Sequence, residues 1–244
     1  SAHEIHVLRP RPKAWLSDFE RDGLVLGYDE AAALSGLSFD AVILAVKPQL
    51  MPEVLDELVP HLASINMLLS VAAGLERPFY RKYFPHAGHV IRAMPNTPSA
   101  VGDGTIICVG SDDLSVRGQV HELLQAMGHV AWINDEAQMH GIIALSGSGP
   151  AYLFLLAHFM AEEAQRLGVP AEMTRELAAR TIRGAGNLLL QGLPDPEELK
   201  RNVASPGGTT QAALDVLEAK PGLRETIASA MEACAKRSAE LAKN

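Results

Sequence analysis

Apolar residues in the first half of the chain fall in short runs separated by stretches of helical periodicity. Ile5-His6-Val7-Leu8 predicts a strand, residues 13–22 a helix, and Leu24-Val25-Leu26 a second strand. Ala41 to Val46 is apolar without a break, as expected of a strand covered on both faces. After Pro48, residues Leu50, Val54, Leu55, Leu58 and Leu62 recur at helical spacing. Further strands are predicted at 66–73, 89–93, 105–109 and 129–133. This alternation predicts a parallel sheet wound with helices. From Asp135 onward the pattern changes to Ala, Leu, Glu and Arg at helical spacing. Helices are predicted near 135–145, 150–167, 171–191, 208–218 and 222–241. Their breaks fall at Ser146-Gly147-Ser148-Gly149-Pro150, Gly168-Val169-Pro170, Pro194-Asp195-Pro196 and Pro221-Gly222. Asp195, Glu197 and Glu198 suit a solvated helix start. The expected organisation is an α/β domain over residues 1–134 and an all-helical domain over 135–244.

Leu177, Ala178, Ile182, Leu188, Leu189 and Leu190 lie on more than one face of the 171–191 helix. A helix apolar around most of its girth is buried on several sides, which predicts a dimer of helical domains.

Composition narrows the classes. The 244 residues are 48% hydrophobic and 20% charged, the balance of an ordinary globular protein. A net charge of −8 leaves no broad basic face for a nucleic acid. Cys108 and Cys234 are far apart with no C-x-x-C, so neither a disulfide framework nor a zinc site is expected, and a reducing cytoplasm is the expected compartment. The scattered histidines lack a third ligand, so no metal is expected. The Gly-Ser-Gly-Pro break keeps the apolar stretch 142–160 below the roughly 18 residues of a membrane span. No basic, apolar leader opens the chain.

The candidate chemistry sits at strand and helix ends. A dinucleotide fold announces itself by G-x-G-x-x-G after its first strand, and that fingerprint is absent here. The chain is therefore expected to begin at the second strand of such a fold, with the first strand and glycine loop upstream. Arg9 and Arg11 follow that strand, where an arginine accommodates a 2′-phosphate. Ala45-Val46-Lys47-Pro48 ends the strongest strand, where open sheets bind ligands, and Lys47 could meet a phosphate there. Ser70-Val71-Ala72-Ala73-Gly74 ends the next with small residues that allow close approach of a ring or ribose. Met94-Pro95-Asn96-Thr97-Pro98 is a rigid polar loop. The most informative segment is Ser205-Pro206-Gly207-Gly208-Thr209-Thr210 at the start of a helix. Glycines, hydroxyls and a helix N-terminus together suit a small anion such as a carboxylate. An ordinary N-cap needs only one Ser or Thr.

Taken together, AVKPQ at 45–49, SVAAG at 70–74, MPNTP at 94–98, LSGSGPAY at 145–152 and NVASPGGTT at 202–210 resemble the pyrroline-5-carboxylate reductase family over essentially the whole chain. The resemblance implies a Rossmann domain followed by a helical, interlocked dimerisation domain, with many members building a ring of five dimers. It implies reduction of 1-pyrroline-5-carboxylate, a cyclic imino acid, to L-proline with NADPH, NADH being the alternative donor. By that likeness Ala45, Val46, Lys47, Pro48, Ala72, Ala73 and Gly74 contact the cofactor, with Asn96 near its nicotinamide and Asn202 touching it from the helical domain. Ser205, Thr209 and Thr210 hold the substrate carboxylate, Thr210 also reaches the ring nitrogen, and Glu136 lies near the substrate. The sequence departs from the family pattern at Tyr28 or Asp29, where the family often has an Asn near the adenosine, and at His140, where an Asp is common. A β-hydroxyacid dehydrogenase shares the plan but needs an interdomain Lys as proton acceptor, and no Lys occurs between Lys82 and Lys200. A non-catalytic dimer lacking nucleotide is the rival from another class.

Overall fold

The computed structural model describes residues 4–9, 14–62 and 64–242. Two compact units share them. One takes in described residues of Ser1–Pro95, Val101–Glu136 and the chain end from Leu241, the other Asn96–Ala100 and Ala137–Glu240.

In the first unit, β1 (His6–Leu8), α1 (Ala14–Arg21) and β2 (Leu26–Tyr28) form a parallel two-stranded sheet. A second sheet follows from β3 (Ala41–Leu44), α2 (Met51–Leu58), β4 (Met67–Ser70), α3 (Arg77–Tyr83) and β5 (His89–Met94). It is completed by β6 (Gly104–Val109), α4 (Leu114–Leu124) and β7 (Gly128–Trp132), with strand order β3-β4-β5-β6-β7. This is a Rossmann-like α/β arrangement, but it differs from the sequence expectation in two ways. First, β6 runs antiparallel to β5. The connection over 95–103 carries only a short 3-10 turn, and a parallel return needs a crossover of a dozen or more residues. Second, β3 is not covered on both faces. It is the edge of its sheet, and Ile43 is 50% exposed.

The central strands are covered on both sides, so their alternation is hidden in an all-apolar run. Leu68 and Val90 face a layer containing Met51, Leu55, Tyr80 and Phe84. Met67, Leu69, Ile91 and Ala93 face the other, with Val116, Val120 and Leu124 of α4. Each such side chain contributes about 1.5–3 kcal/mol by leaving water. The Asp113 carboxylate caps α4 by accepting from the Ser115 and Val116 amides.

The second unit consists of α5 (Met139–Ile142), α6 (Gly149–Arg166), α7 (Ala171–Leu190), α8 (Pro196–Val203), α9 (Thr209–Leu217) and most of α10 (Leu223–Leu241). The break expected at Ser146–Pro150 does not form. A π-helical turn over Ile143–Gly147 carries the helix through, closed by Ser148 N–H donating to Ile143 C=O at 2.8 Å. Pro150 has no N–H to give the Ser146 carbonyl four residues back. The Asn96 amide nitrogen donates to that carbonyl instead, at 3.1 Å. The outcome is one helix, Glu136–Arg166, that is long and apolar enough to cross a membrane, with only 6% of its most apolar window buried. The expectation that glycines and proline interrupt this stretch is therefore corrected. Phe154 and Leu190 are 65% and 69% exposed, and Leu153, Leu156, Phe159 and Leu177 are exposed as well. This helical unit leaves uncovered an apolar surface of the kind that marks an interaction site.

Cys108, fully buried in β6, has its thiol pushed up to about 12 by burial. Cys108 is expected to resist iodoacetamide in the native protein and to react once urea unfolds it, as read by peptide mass mapping. Equal labelling rates in both states would contradict its burial.

Candidate active site

The strands of the first unit deliver two of the predicted segments to one edge. Leu44 and Ser70 are register partners in adjacent parallel strands, and Val71 N–H donates to Leu44 C=O at 3.1 Å. Ala45-Val46-Lys47-Pro48 and Ala72-Ala73-Gly74 thus leave the sheet side by side at its carboxyl end, where open α/β sheets bind ligands. The Tyr80 hydroxyl and Ser70 Oγ are 2.6 Å apart, and the Ala72 amide donates to Ser70 Oγ at 3.2 Å, fixing the backbone as it leaves β4. Burial pushes the Tyr80 phenol up; the Ser70 bond only partly offsets this. Lys47 is exposed.

Arg9 leaves the end of β1, its amide donating to Tyr28 C=O at 2.9 Å. Its guanidinium is ion-paired to Glu20 of α1 at 2.6 Å, while its Nε is buried with no acceptor among the described residues. Arg11 lies outside the described residues.

Glu136 belongs to the first unit, where the structure gives it a partnered role. Its Oε1 accepts from Arg92 at 2.7 Å and from the Arg77 amide at 3.1 Å, and its Oε2 accepts from Arg77 Nε at 3.0 Å. Both oxygens are thus engaged by arginines. Burial alone would raise its pKa, but the hydrogen bonds from Arg92 and Arg77 outweigh it and hold the carboxyl below its ordinary range. An open cleft of about 500 Å³ lies beside it, lined by Arg77, Pro78, Arg81, Lys82 and Val90. Sequence reasoning missed Arg77 and Arg92, although a signal was present. An arginine inside the buried strand His89–Met94 demands an acidic partner.

In the helical unit, the turn between α8 and α9 is held by Gly208 N–H donating to Ser205 C=O at 2.9 Å. Gly207 has φ 72°, and a Cβ on Gly208 would lie 2.5 Å from Ser205 Oγ. Both glycines are required by the turn itself. Gly208 at the N-cap of α9 has no side chain to cap it, and among the described residues no side chain accepts from its first-turn N–H groups. Ser205 and Thr209 are exposed at this helix start and Thr210 is half-buried. The turn thus gathers three of the predicted residues into one donor-rich cradle. Asn202 lies on the exposed side of α8 just before it, and Asn96 is tied to Ser146 as described above. Among the described residues no cluster of His, Cys, Asp or Glu could hold a metal ion.

A Rossmann-like sheet whose carboxyl edge carries small residues, followed in the chain by a helical unit, is the architecture of a dinucleotide-dependent oxidoreductase. Comparison with known proteins narrows this. Residues 136–241 match the family model described as pyrroline-5-carboxylate reductase dimerisation. The chain is 38% identical over 205 residues to the pyrroline-5-carboxylate reductase of Pseudomonas aeruginosa, covering 83% of this chain and 75% of that protein. Against the Haemophilus influenzae reductase the identity is 37%, covering 85% and 77%. The structure of the Coxiella burnetii enzyme superposes with a TM-score of 0.87 at 34% identity, covering 98% of this chain and 89% of that one. A Plasmodium falciparum pyrroline carboxylate reductase solved with NADP bound superposes at 0.80 with 25% identity, covering 97% and 87%. The chain belongs to the pyrroline-5-carboxylate reductase family, and is thereby an NAD(P)H-dependent oxidoreductase with a Rossmann-type region and a dimerisation region.

Because the folded-state pKa of Glu136 is depressed, its contribution to stability is present above the ordinary carboxyl value of 4.5 and is lost as pH falls through the folded value. Glu136→Gln is expected to lower stability at neutral pH by about 3 kcal/mol, since it strands the buried Arg92, and to flatten the acid limb. Urea titrations of both proteins from neutral to acid pH check this; parallel curves would exclude it.

Proposed function

We propose that this chain performs its family's reaction, the reduction of 1-pyrroline-5-carboxylate to L-proline that ends proline biosynthesis, by holding the substrate carboxylate at the start of α9. The observation that carries this reading is the uncapped helix start. Thr209 and Thr210 open α9, Ser205 lies just before it, and no side chain among the described residues satisfies the first-turn amides. Backbone donors and the positive end of the helix dipole favour a carboxylate there. The cofactor, NADPH with NADH as alternative, supplies the hydride. Arg9 and Arg11 are assigned to its adenosine end, and Ala45, Val46, Lys47, Pro48, Ala72, Ala73 and Gly74 to the strand-end contacts. Asn96 is assigned to its nicotinamide end, and Asn202 to a contact with it from the helical domain. Asn96 also donates to Ser146, which holds the loop that follows β5. Glu136, assigned to the surroundings of the substrate, also anchors the end of the sheet region through Arg77 and Arg92.

The protein needs little proton chemistry. A cyclic imine can take up a proton before hydride arrives, so the side chains bind, orient and exclude water. Thr210 donates its hydroxyl to the carboxylate and reaches towards the ring nitrogen. The exposed apolar surface of α6 and α7 supports a homodimer, and a ring of five such dimers is the larger assembly proposed. Cys108 and Cys234 are both free thiols, which accords with a cytoplasmic enzyme.

Thr210→Ala is expected to raise KM and to lower kcat/KM by about 1–3 kcal/mol of transition-state stabilisation, with the fold unchanged by circular dichroism. NADPH oxidation in the presence of pyrroline-5-carboxylate measures it; an unaltered kcat/KM removes Thr210 from the site. Phe154→Glu is expected to halve the mass seen by light scattering if α6 forms the dimer surface.

A further inference from the structure

The ion pair at the end of β1 is built more tightly than a surface contact. Val7 of β1 pairs in register with Gly27 of β2, and Arg9 lies two residues on, on the same face as Val7. The Glu20 carboxylate of α1 lies over Gly27, where a Cβ in place of the glycine hydrogen would sit 1.7 Å from Glu20 Oε1 and 3.1 Å from the Arg9 guanidinium. With glycine at 27 the pair sits directly against the β2 backbone. Both side chains are largely removed from water, at 17% and 25% exposure, yet the Arg9 Nε still has no acceptor among the described residues. Glu20 therefore engages Nη2 of the guanidinium and leaves its other terminal nitrogen, Nη1, without an ion-pair partner among the described residues.

Resting on the reading of Arg9 as a cofactor residue, we propose that Glu20 sets the cofactor preference of this chain by sharing Arg9 with the adenosine 2′-substituent. Glu20 is a positioning residue. It fixes the guanidinium over Gly27 and adds a negative charge to the same fork. A 2′-phosphate bonded to the same guanidinium would lie within about 4–6 Å of that carboxylate, because both would contact one planar group. Two like charges at that separation, partly shielded from water, weaken binding of NADPH and leave NADH untouched. The chain then accepts both donors, with a preference smaller than an unopposed arginine would give.

Dissociation constants of the full chain for NADPH and NADH, measured by calorimetry without substrate, test this. Glu20→Gln keeps a hydrogen-bonding partner and removes the charge. It is expected to tighten NADPH about three- to tenfold and to move NADH less than about twofold. Glu20→Asp is expected to keep the wild-type ratio, and the double variant Arg9→Gln/Glu20→Gln to behave as Arg9→Gln, since Glu20 acts through Arg9. A ratio unchanged or lowered in Glu20→Gln, while Arg9→Gln weakens NADPH, overturns this inference alone. A ratio unchanged in Arg9→Gln overturns the reading of Arg9 and the inference with it. Where Glu20→Gln fails to fold, the ratio in Glu20→Asp and Arg9→Gln, followed against ionic strength, still decides the matter. Binding of NADPH by the wild type that is stronger than NADH by more than about a thousandfold also refutes it.

Discussion

Glu136 holds the sheet region together where its last strand has ended and the chain turns to helices. Its carboxylate accepts three hydrogen bonds, from the backbone and side chain of Arg77 at the start of α3 and from Arg92 within β5. Arg92 is 4% exposed on a strand otherwise made largely of apolar side chains, so its charge is tolerable only with that carboxylate in place. The neighbouring bond between Tyr80 and Ser70 sets the path of the chain from β4 into Ala72-Ala73-Gly74. The small residues assigned to the cofactor thus stand on a framework of buried polar contacts.

The helical unit solves a different problem. Pro150 would normally end or kink a helix, and Ser146 would lose its partner. The π turn and the Asn96 side chain absorb both effects, which leaves an unbroken helix with an apolar surface. A match to a dimerisation family over 136–241 explains why that surface stays uncovered within one chain. Membrane length and composition alone do not distinguish such a helix from a spanning one, since both need a long apolar stretch.

Charge is used sparingly. The chain carries −8 overall, yet the two places assigned to anionic ligands are built differently. The α9 start relies on backbone amides, which bear no net charge and suit a monoanionic carboxylate held for chemistry. The β1 end uses an arginine, already balanced by Glu20. A shared cation tunes preference where a free one would fix it.

Much of this was readable from the chain. Apolar runs and helical periods located the strands and most helices, because burial of one face or two leaves its period in the sequence. The turn at Gly207-Gly208 was visible because a positive φ and close backbone packing restrict which residues can stand there. What the sequence could not decide were facts of pairing. It did not reveal the antiparallel β5–β6 step, the open edge at β3, the helix that runs through Gly-Ser-Gly-Pro, or the partners that claim Arg9, Arg92, Asn96 and Glu136. Local preference acts on neighbours along the chain, whereas these outcomes depend on groups as many as 59 residues apart whose hydrogen bonds exist only once the chain has folded.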